Sequence, residues 1–272
     1  VSLAVPSGGI RMWMADLRRR LSLLHAATRQ ALWRIRNPGK SFADYYSESI
    51  AGKLDRGVAH TTLGKRDRPK VPVAPGADLV ERPHWDRGVE PFQFLRSLGL
   101  RPEHRCVDYG CGSLRVGMHL IDYLDAGNYW GVDVTDRFYR DGLELLQPEA
   151  VPAKAPRFDV ISRESLARIG AWRPDIVFSF SVLLHVPPSE LPDYLAKVVG
   201  LLAKDSRAII VFDATARDIR FSAKSWGHSR DRLRAELRKI DASLGIDFVH
   251  YRDMGKVGRQ AVTREALIVT RR

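Results

Sequence analysis

Residues 107–117 read VDYGCGSLRVG, and residues 129–135 read YWGVDVT. Each stretch is an apolar run that closes on an acid, Asp108 in the first and Asp133 in the second. Between them Gly110 and Gly112 stand one residue apart, and Asp133 follows Gly112 by 21 positions. Glycine accepts backbone conformations that other residues resist and lets a ligand approach the chain closely. The pattern therefore predicts a strand, a tight turn, a helix opening near Ser113, and a second strand ending at Asp133.

The pattern continues on both sides of this stretch. A helix is predicted over 88–98, helices follow the two strands over 114–124 and 136–146, and a short strand covers 158–162. PDIVFSFSV (174–182) reads as a buried strand, SELPDYLAKVVGLLAK (189–204) as a helix and RAIIVFDAT (207–215) as a strand. DRLRAELRKIDASL (231–244) is helical, and FVHYRDM (248–254) and EALIVTRR (265–272) are strands close enough in sequence to pair antiparallel. Strand and helix alternate, which predicts an α/β, Rossmann-like, doubly wound and mainly parallel seven-stranded sheet with an antiparallel C-terminal strand. Ligands of such sheets sit beyond the carboxyl ends of the strands, where the strand order switches.

The first 83 residues differ in character. Ile10, Trp13, Met14, Leu17, Leu21, Leu24, Leu32 and Ile35 recur at helical spacing among arginines, and Asn37-Pro38-Gly39 ends the run. This basic amphipathic helix over 10–36 either lies on an anionic membrane surface or packs its stripe on protein. Ser41 opens a second short helix within 41–62, with Asp44 in the position of a capping-box acid. Prolines 69, 72, 75 and 83 mark a linker, so the chain divides into 1–83, a basic helical extension, and 84–272. Of the formal charge of +12, the first 80 residues supply 14 Lys+Arg against 6 Asp+Glu. Such an excess favours phosphate, anionic lipid or an acidic substrate.

No apolar run reaches the roughly 18 residues of a membrane span. Cys106 and Cys111 fit neither a zinc site nor a disulfide framework, so no metal is expected and a reducing cytoplasm is the simple reading; peripheral contact on the inner membrane face through residues 10–36 follows only where that helix lies on lipid rather than on protein.

Arg115 stands where a dinucleotide fingerprint needs its third glycine, which disfavours a dehydrogenase. Residues 84–272 instead resemble the class I S-adenosylmethionine-dependent methyltransferases. VDYGCGS resembles that family's first motif and GVDVT its second. PDIVFSFSVLLHV (174–186) resembles the fourth-strand motif and LLAKDSRAIIVFDAT (201–215) the fifth strand with its preceding helix. Leu114 departs from the pattern, since many members carry a third glycine there. The resemblance implies S-adenosylmethionine as cofactor. Asp108 and the turn Gly110, Cys111, Gly112 would border its amino-acid end, and Asp133 would hold the ribose. Val134 and Ser162 would lie by the adenine, and Phe180 and Ser181 by the methionine side.

Methyl transfer needs in-line alignment, and a hydroxyl acceptor benefits from a base. His185, after the fourth strand, is the first candidate and His228 the second. Arg217, Arg220 and Lys224 follow the fifth strand on the ligand side and are expected to hold an anionic or sugar-like acceptor. Tyr45, Tyr46 and Trp85 either cover the site or pack on the domain. The expected activity is O-methylation of a small-molecule, glycan or lipid-linked saccharide acceptor. A non-catalytic binding module at a membrane surface is the rival, and a nucleic-acid acceptor is disfavoured because aromatic-basic interleaving is missing.

Overall fold

The computed structural model describes residues 7–55, 83–143, 153–258 and 260–271. The proline-rich stretch up to residue 82 lies outside them, as do the side chains of Trp13 and Trp85. Nine strands are described: β1 Cys106–Tyr109, β2 Tyr129–Asp133, β3 Arg157–Val160, β4 Ile176–Phe180, β5 Arg207–Ala214, β6 Ile219–Ser222, β7 Ser225–Gly227, β8 Gly245–Val257 and β9 Gln260–Thr270. The helices are α1 Ser7–Arg36, α2 Phe42–Asp55, α3 Pro83–Ser97, α4 Gly117–Tyr123, α5 Asp136–Leu143, α6 Arg163–Trp172, α7 Leu191–Gly200 and α8 Arg230–Ile240.

Seven strands form one sheet in the order β3-β2-β1-β4-β5-β9-β8. β1 to β5 are parallel, and β9 is inserted antiparallel between β5 and β8. The strand order reverses between β1 and β4, as the alternation predicts. Both faces of the sheet are covered. On β5, Ile210 and Phe212 join one hydrophobic core with Leu195 and Val198 of α7 and Leu233 and Leu237 of α8. Ile209 and Val211 join the other, with Leu95 of α3 and Leu120 of α4. This two-sided burial is why the central strands read as unbroken apolar runs.

Two details differ from the sequence reading. First, α4 opens at Gly117 rather than near Ser113. Leu114 holds a left-handed φ of 61°, which delays the helix, and its side chain is fully buried. Second, the segment after β5 folds into the β6–β7 hairpin instead of an extended loop. Helix α2, by contrast, is capped as its sequence suggests, and it docks. Asp44 N–H donates to Ser41 Oγ (3.2 Å) while Ser41 N–H donates to Asp44 Oδ2 (2.8 Å), a capping box with Asp in place of Glu. Phe42 is buried against Trp226 with ring centroids 4.9 Å apart, and its N–H donates to Glu190 Oε1 at 2.6 Å.

Candidate active site

A cavity of about 770 Å³ opens at the carboxyl ends of β1, β2 and β4. Its volume lies in the range of small-molecule sites, roughly 300–1,000 Å³. One wall is the glycine turn. Gly110 (φ 82°) and Gly112 (φ 55°) both lie in the left-handed region. A Cβ on Gly110 would overlap Val182 Cγ2, so the turn and the loop after β4 press together only because that side chain is missing.

Asp133 ends β2 at the cavity edge, and its carboxylate is held from two sides. Gly112 N–H donates to Oδ2 at 2.8 Å and Val134 N–H to Oδ1 at 2.7 Å. Each oxygen keeps a lone pair for a further donor. Burial pushes the Asp133 carboxyl up to about 6, against the pull of those two N–H groups. Asp108 lies one strand away. Tyr129 Oη–H donates to its Oδ2 at 3.0 Å, and burial, reinforced by the Asp133 charge, raises it to about 7. Two buried carboxylates thus face one space, and Arg115, which borders it, offsets the burial of Asp108 only in small part, an arrangement that favours a ligand bringing hydroxyl donors and positive charge.

The floor is tied by hydroxyls. Tyr194 Oη–H donates to Ser179 Oγ (2.8 Å), which donates to the Tyr109 carbonyl (3.0 Å). Above it stands Phe180, with the Arg115 and Arg264 guanidinium groups 5.6 Å and 5.9 Å from its ring centroid. Ser181, next in the chain, is left-handed at φ 60°, a backbone strain of the kind that collects at functional sites.

His185 closes a short helical turn, Leu183–His185, and borders the cavity. Its Nδ1 lies 2.6 Å from the Lys224 carbonyl. A carbonyl only accepts, so Nδ1 carries the proton and Nε2 keeps a lone pair. Burial lowers the His185 pKa below that of a free imidazole, so the ring is neutral near pH 7. Tyr46 of α2 stacks on it, with centroids 4.6 Å apart.

Most of the residues expected from the sequence meet here. Asp108, Gly110, Cys111, Gly112, Asp133, Val134, Phe180, Ser181 and His185 all border the cavity. Five do not. Ser162 is exposed and caps α6, accepting from Ser165 N–H at 3.1 Å, while the preceding Ile161 lines the cavity. His228 is fully buried, and its Nε2 lies 3.1 Å from the Leu183 carbonyl, where it braces the turn that carries His185. Arg217 is exposed away from the cavity. Arg220 donates to the Ser222 and Ala223 carbonyls and to Gln30 of α1. Lys224 reaches Ser49 of α2 and lines a separate recess of about 550 Å³ with Arg29, Trp33 and Tyr45. The β6–β7 hairpin turns Arg220 and Lys224 toward the N-terminal helices and away from the cavity.

Sequence reasoning missed the other side of the cavity. Arg252 of β8 and Arg264 of β9 enter it, with Glu90 and Pro91 of α3 and Lys197 of α7. Arg264 grips Asp213 with two hydrogen bonds (2.7 and 3.2 Å), and Arg252 pairs with Glu90 at 2.8 Å. Cys106 and Cys111 are free and buried, and burial drives both thiols up, so neither is a nucleophile.

No family model matches the sequence, and no curated protein matches it. Solved structures do. Magnesium protoporphyrin IX methyltransferase from Synechocystis, with bound S-adenosylmethionine, superposes with a TM-score of 0.54 at 18% identity, over 86% of this chain and 100% of that one. An S-adenosylmethionine-dependent methyltransferase from Anabaena variabilis gives 0.51 at 14% identity, over 69% and 87%. The [4+2]-cyclase SpnF gives 0.51 at 12% identity, over 69% and 83%. The chain has the fold of the class I S-adenosylmethionine-dependent methyltransferases.

Proposed function

We propose that the protein is an S-adenosylmethionine-dependent methyltransferase acting on a small acceptor that carries a hydroxyl and an anionic group. The observation that carries the cofactor half is Asp133, a buried carboxylate fixed by two backbone N–H groups beside the turn of Gly110 and Gly112. Its free lone pairs suit the two hydroxyls of a ribose. Asp108 and the turn at Gly110–Gly112 suit a cationic amino-acid end, and both carboxylates gain when positive charge replaces water beside them.

The cofactor supplies an activated methyl group on a sulfonium. The chain's own residues do the rest. Phe180 and the strained Ser181 shape the wall beside the transfer path, and Tyr194 fixes the floor through Ser179. His185, neutral and with its Nδ1 proton held by the Lys224 carbonyl, takes the proton of an acceptor hydroxyl at Nε2. Tyr46 and Ala43 of α2 cover that side and exclude water. Arg115, with Arg252 and Arg264 that are paired to Glu90 and Asp213, gives this side of the cavity guanidinium donors that suit a carboxylate or phosphate on the acceptor, the role first expected of Arg217, Arg220 and Lys224. A glycan or lipid-linked saccharide acceptor fits the same chemistry.

A non-methylating reading is favoured by one observation, the cyclase among the structural neighbours. Calorimetry and labelling separate the two. S-adenosylhomocysteine should bind at micromolar levels and lose its affinity in Asp133→Ala. Labelled S-adenosylmethionine should pass its methyl group to a component of a cell extract, and His185→Gln should stop this. Absence of S-adenosylhomocysteine binding would refute the proposal. Binding without transfer to any acceptor would favour the cyclase-like or binding-module reading.

A further inference from the structure

α1 is a helix with two opposite faces. At about 100° per residue, Leu17, Leu21, Leu24, Leu32 and Ile35 fall within an arc of about 80°. All five are between 41% and 77% exposed. The exposed Thr28 interrupts the stripe between Leu24 and Leu32, yet monomeric proteins seldom leave five large apolar side chains along one helix face in water without a use for them. The opposite face is where the helix meets the body. Ala26 is buried there, Gln30 accepts from Arg220, and Trp33 donates to Glu48 Oε2 at 3.0 Å and packs edge-on against Tyr45 at 5.3 Å. The leucine stripe is therefore turned outward by the contacts that hold the helix.

The charge on the helix selects the partner. Its 30 residues hold seven arginines and one acid, Asp16. Arg29 and Arg36 are exposed on one flank of the stripe and Arg34 on the other. A second copy would bring two arginine-flanked stripes together with almost no acid to answer them, and the whole chain carries +12. An anionic lipid surface answers both features, with acyl chains for the leucines and phosphate headgroups for the flanking guanidinium groups. No described helix is long and apolar enough to cross a membrane, which agrees with a helix lying in the interface plane.

We infer that α1 docks the protein on anionic membrane, the leucine stripe dipping into the headgroup boundary. This docking does not depend on methyl transfer. The test is flotation of the full chain with vesicles of phosphatidylcholine containing roughly one-third phosphatidylglycerol, against phosphatidylcholine alone. Binding is expected to the anionic vesicles only, to weaken in high salt, and to fall at least tenfold in the double variant Leu21→Ser, Leu24→Ser. Both leucines are exposed and neither lines the cavity, so unchanged S-adenosylhomocysteine affinity reports an intact fold. Three results would overturn the inference: no vesicle binding at low salt, binding that the double variant leaves intact, or a self-association that the double variant abolishes without any vesicle binding.

Discussion

Asp108→Asn should make the empty protein more stable and unable to hold its cofactor. Burial raises the Asp108 carboxyl from its ordinary 3.8 to about 7. Between those values the folded chain keeps a proton that the unfolded chain has lost, so stability falls by about 1.36 kcal/mol per pH unit. The full span corresponds to about 4 kcal/mol at most. Half of it, about 2 kcal/mol, is the working figure once relaxation around a buried charge is allowed for. Asparagine keeps an oxygen for the Tyr129 hydroxyl, so the 3.0 Å hydrogen bond has a partner in the variant. For a chain of this size 1 kcal/mol moves Tm by about 2–4 °C, so the variant should melt about 4–8 °C higher at pH 8.

The pH dependence is the discriminating part. The gap between variant and wild type should be near zero at pH 4, open between pH 4 and 7, and level off above. Thermal unfolding from pH 4 to pH 8, with and without S-adenosylhomocysteine, measures this. Wild type should gain Tm from the ligand at pH 8 and the variant should not, because the ionised acid is what the cationic amino-acid end repays. A variant that melts lower than wild type at pH 8, or that keeps the ligand shift, refutes the argument that Asp108 is a strained binding group.

Three further outcomes are expected. His185→Gln should lower kcat about 10²–10⁴-fold while leaving S-adenosylhomocysteine affinity unchanged, and the wild-type rate should fall only below the ordinary imidazole range, since burial lowers the His185 pKa; both are read from a kcat–pH profile. Gly110→Ala should abolish ligand binding in calorimetry, because a Cβ would overlap Val182 on a backbone already at φ 82°. Leu114→Gly should destabilise despite restoring the family's third glycine: relief of the left-handed backbone is worth about 1–2 kcal/mol, whereas emptying a fully buried leucine site costs about 2–5 kcal/mol, and denaturant unfolding gives the balance.

The glycine turn and its two acids were legible because their signals are local. The acid, turn and acid follow within 26 residues, 108 to 133, and each apolar run shows its strand directly. Ser162 failed by a single position. Near a strand end successive side chains point to opposite sides, so Ile161 reaches the cavity while Ser162 turns away and caps a helix. Arg217 and Arg220 failed for a different reason. Their segment looked like a loop, but Ile219 pairs with Gly227 and Arg220 with Trp226, and the hairpin uses the Arg220 guanidinium on its own carbonyls. Arg264 had no sequence signal at all. It reaches the cavity because β9 pairs with β5 in the register that sets Arg264 against Asp213, and no local pattern specifies that register.

The sequence also places a proline-rich stretch between the basic helices and the segment with the methyltransferase fold, yet the two meet at the candidate site. Glu190, at the start of α7, accepts the Phe42 N–H at 2.6 Å and pairs with Arg34 at 3.3 Å, so one carboxylate holds both α1 and α2. That anchoring sets Tyr46 on His185, and it sets Ser49 on Lys224, whose carbonyl orients the same imidazole. Burial is what keeps His185 neutral, and part of that burial comes from Tyr46. Helix α1 carries the exposed leucines on its outer side and leans on α2 through Trp33 on its inner side. A surface that pulled on α1 would therefore act on α2, and through Tyr46 on the exposure of the candidate base. Helix α2, through Ala43 and Tyr46, is better understood as a wall of the candidate site than as part of an appendage to it.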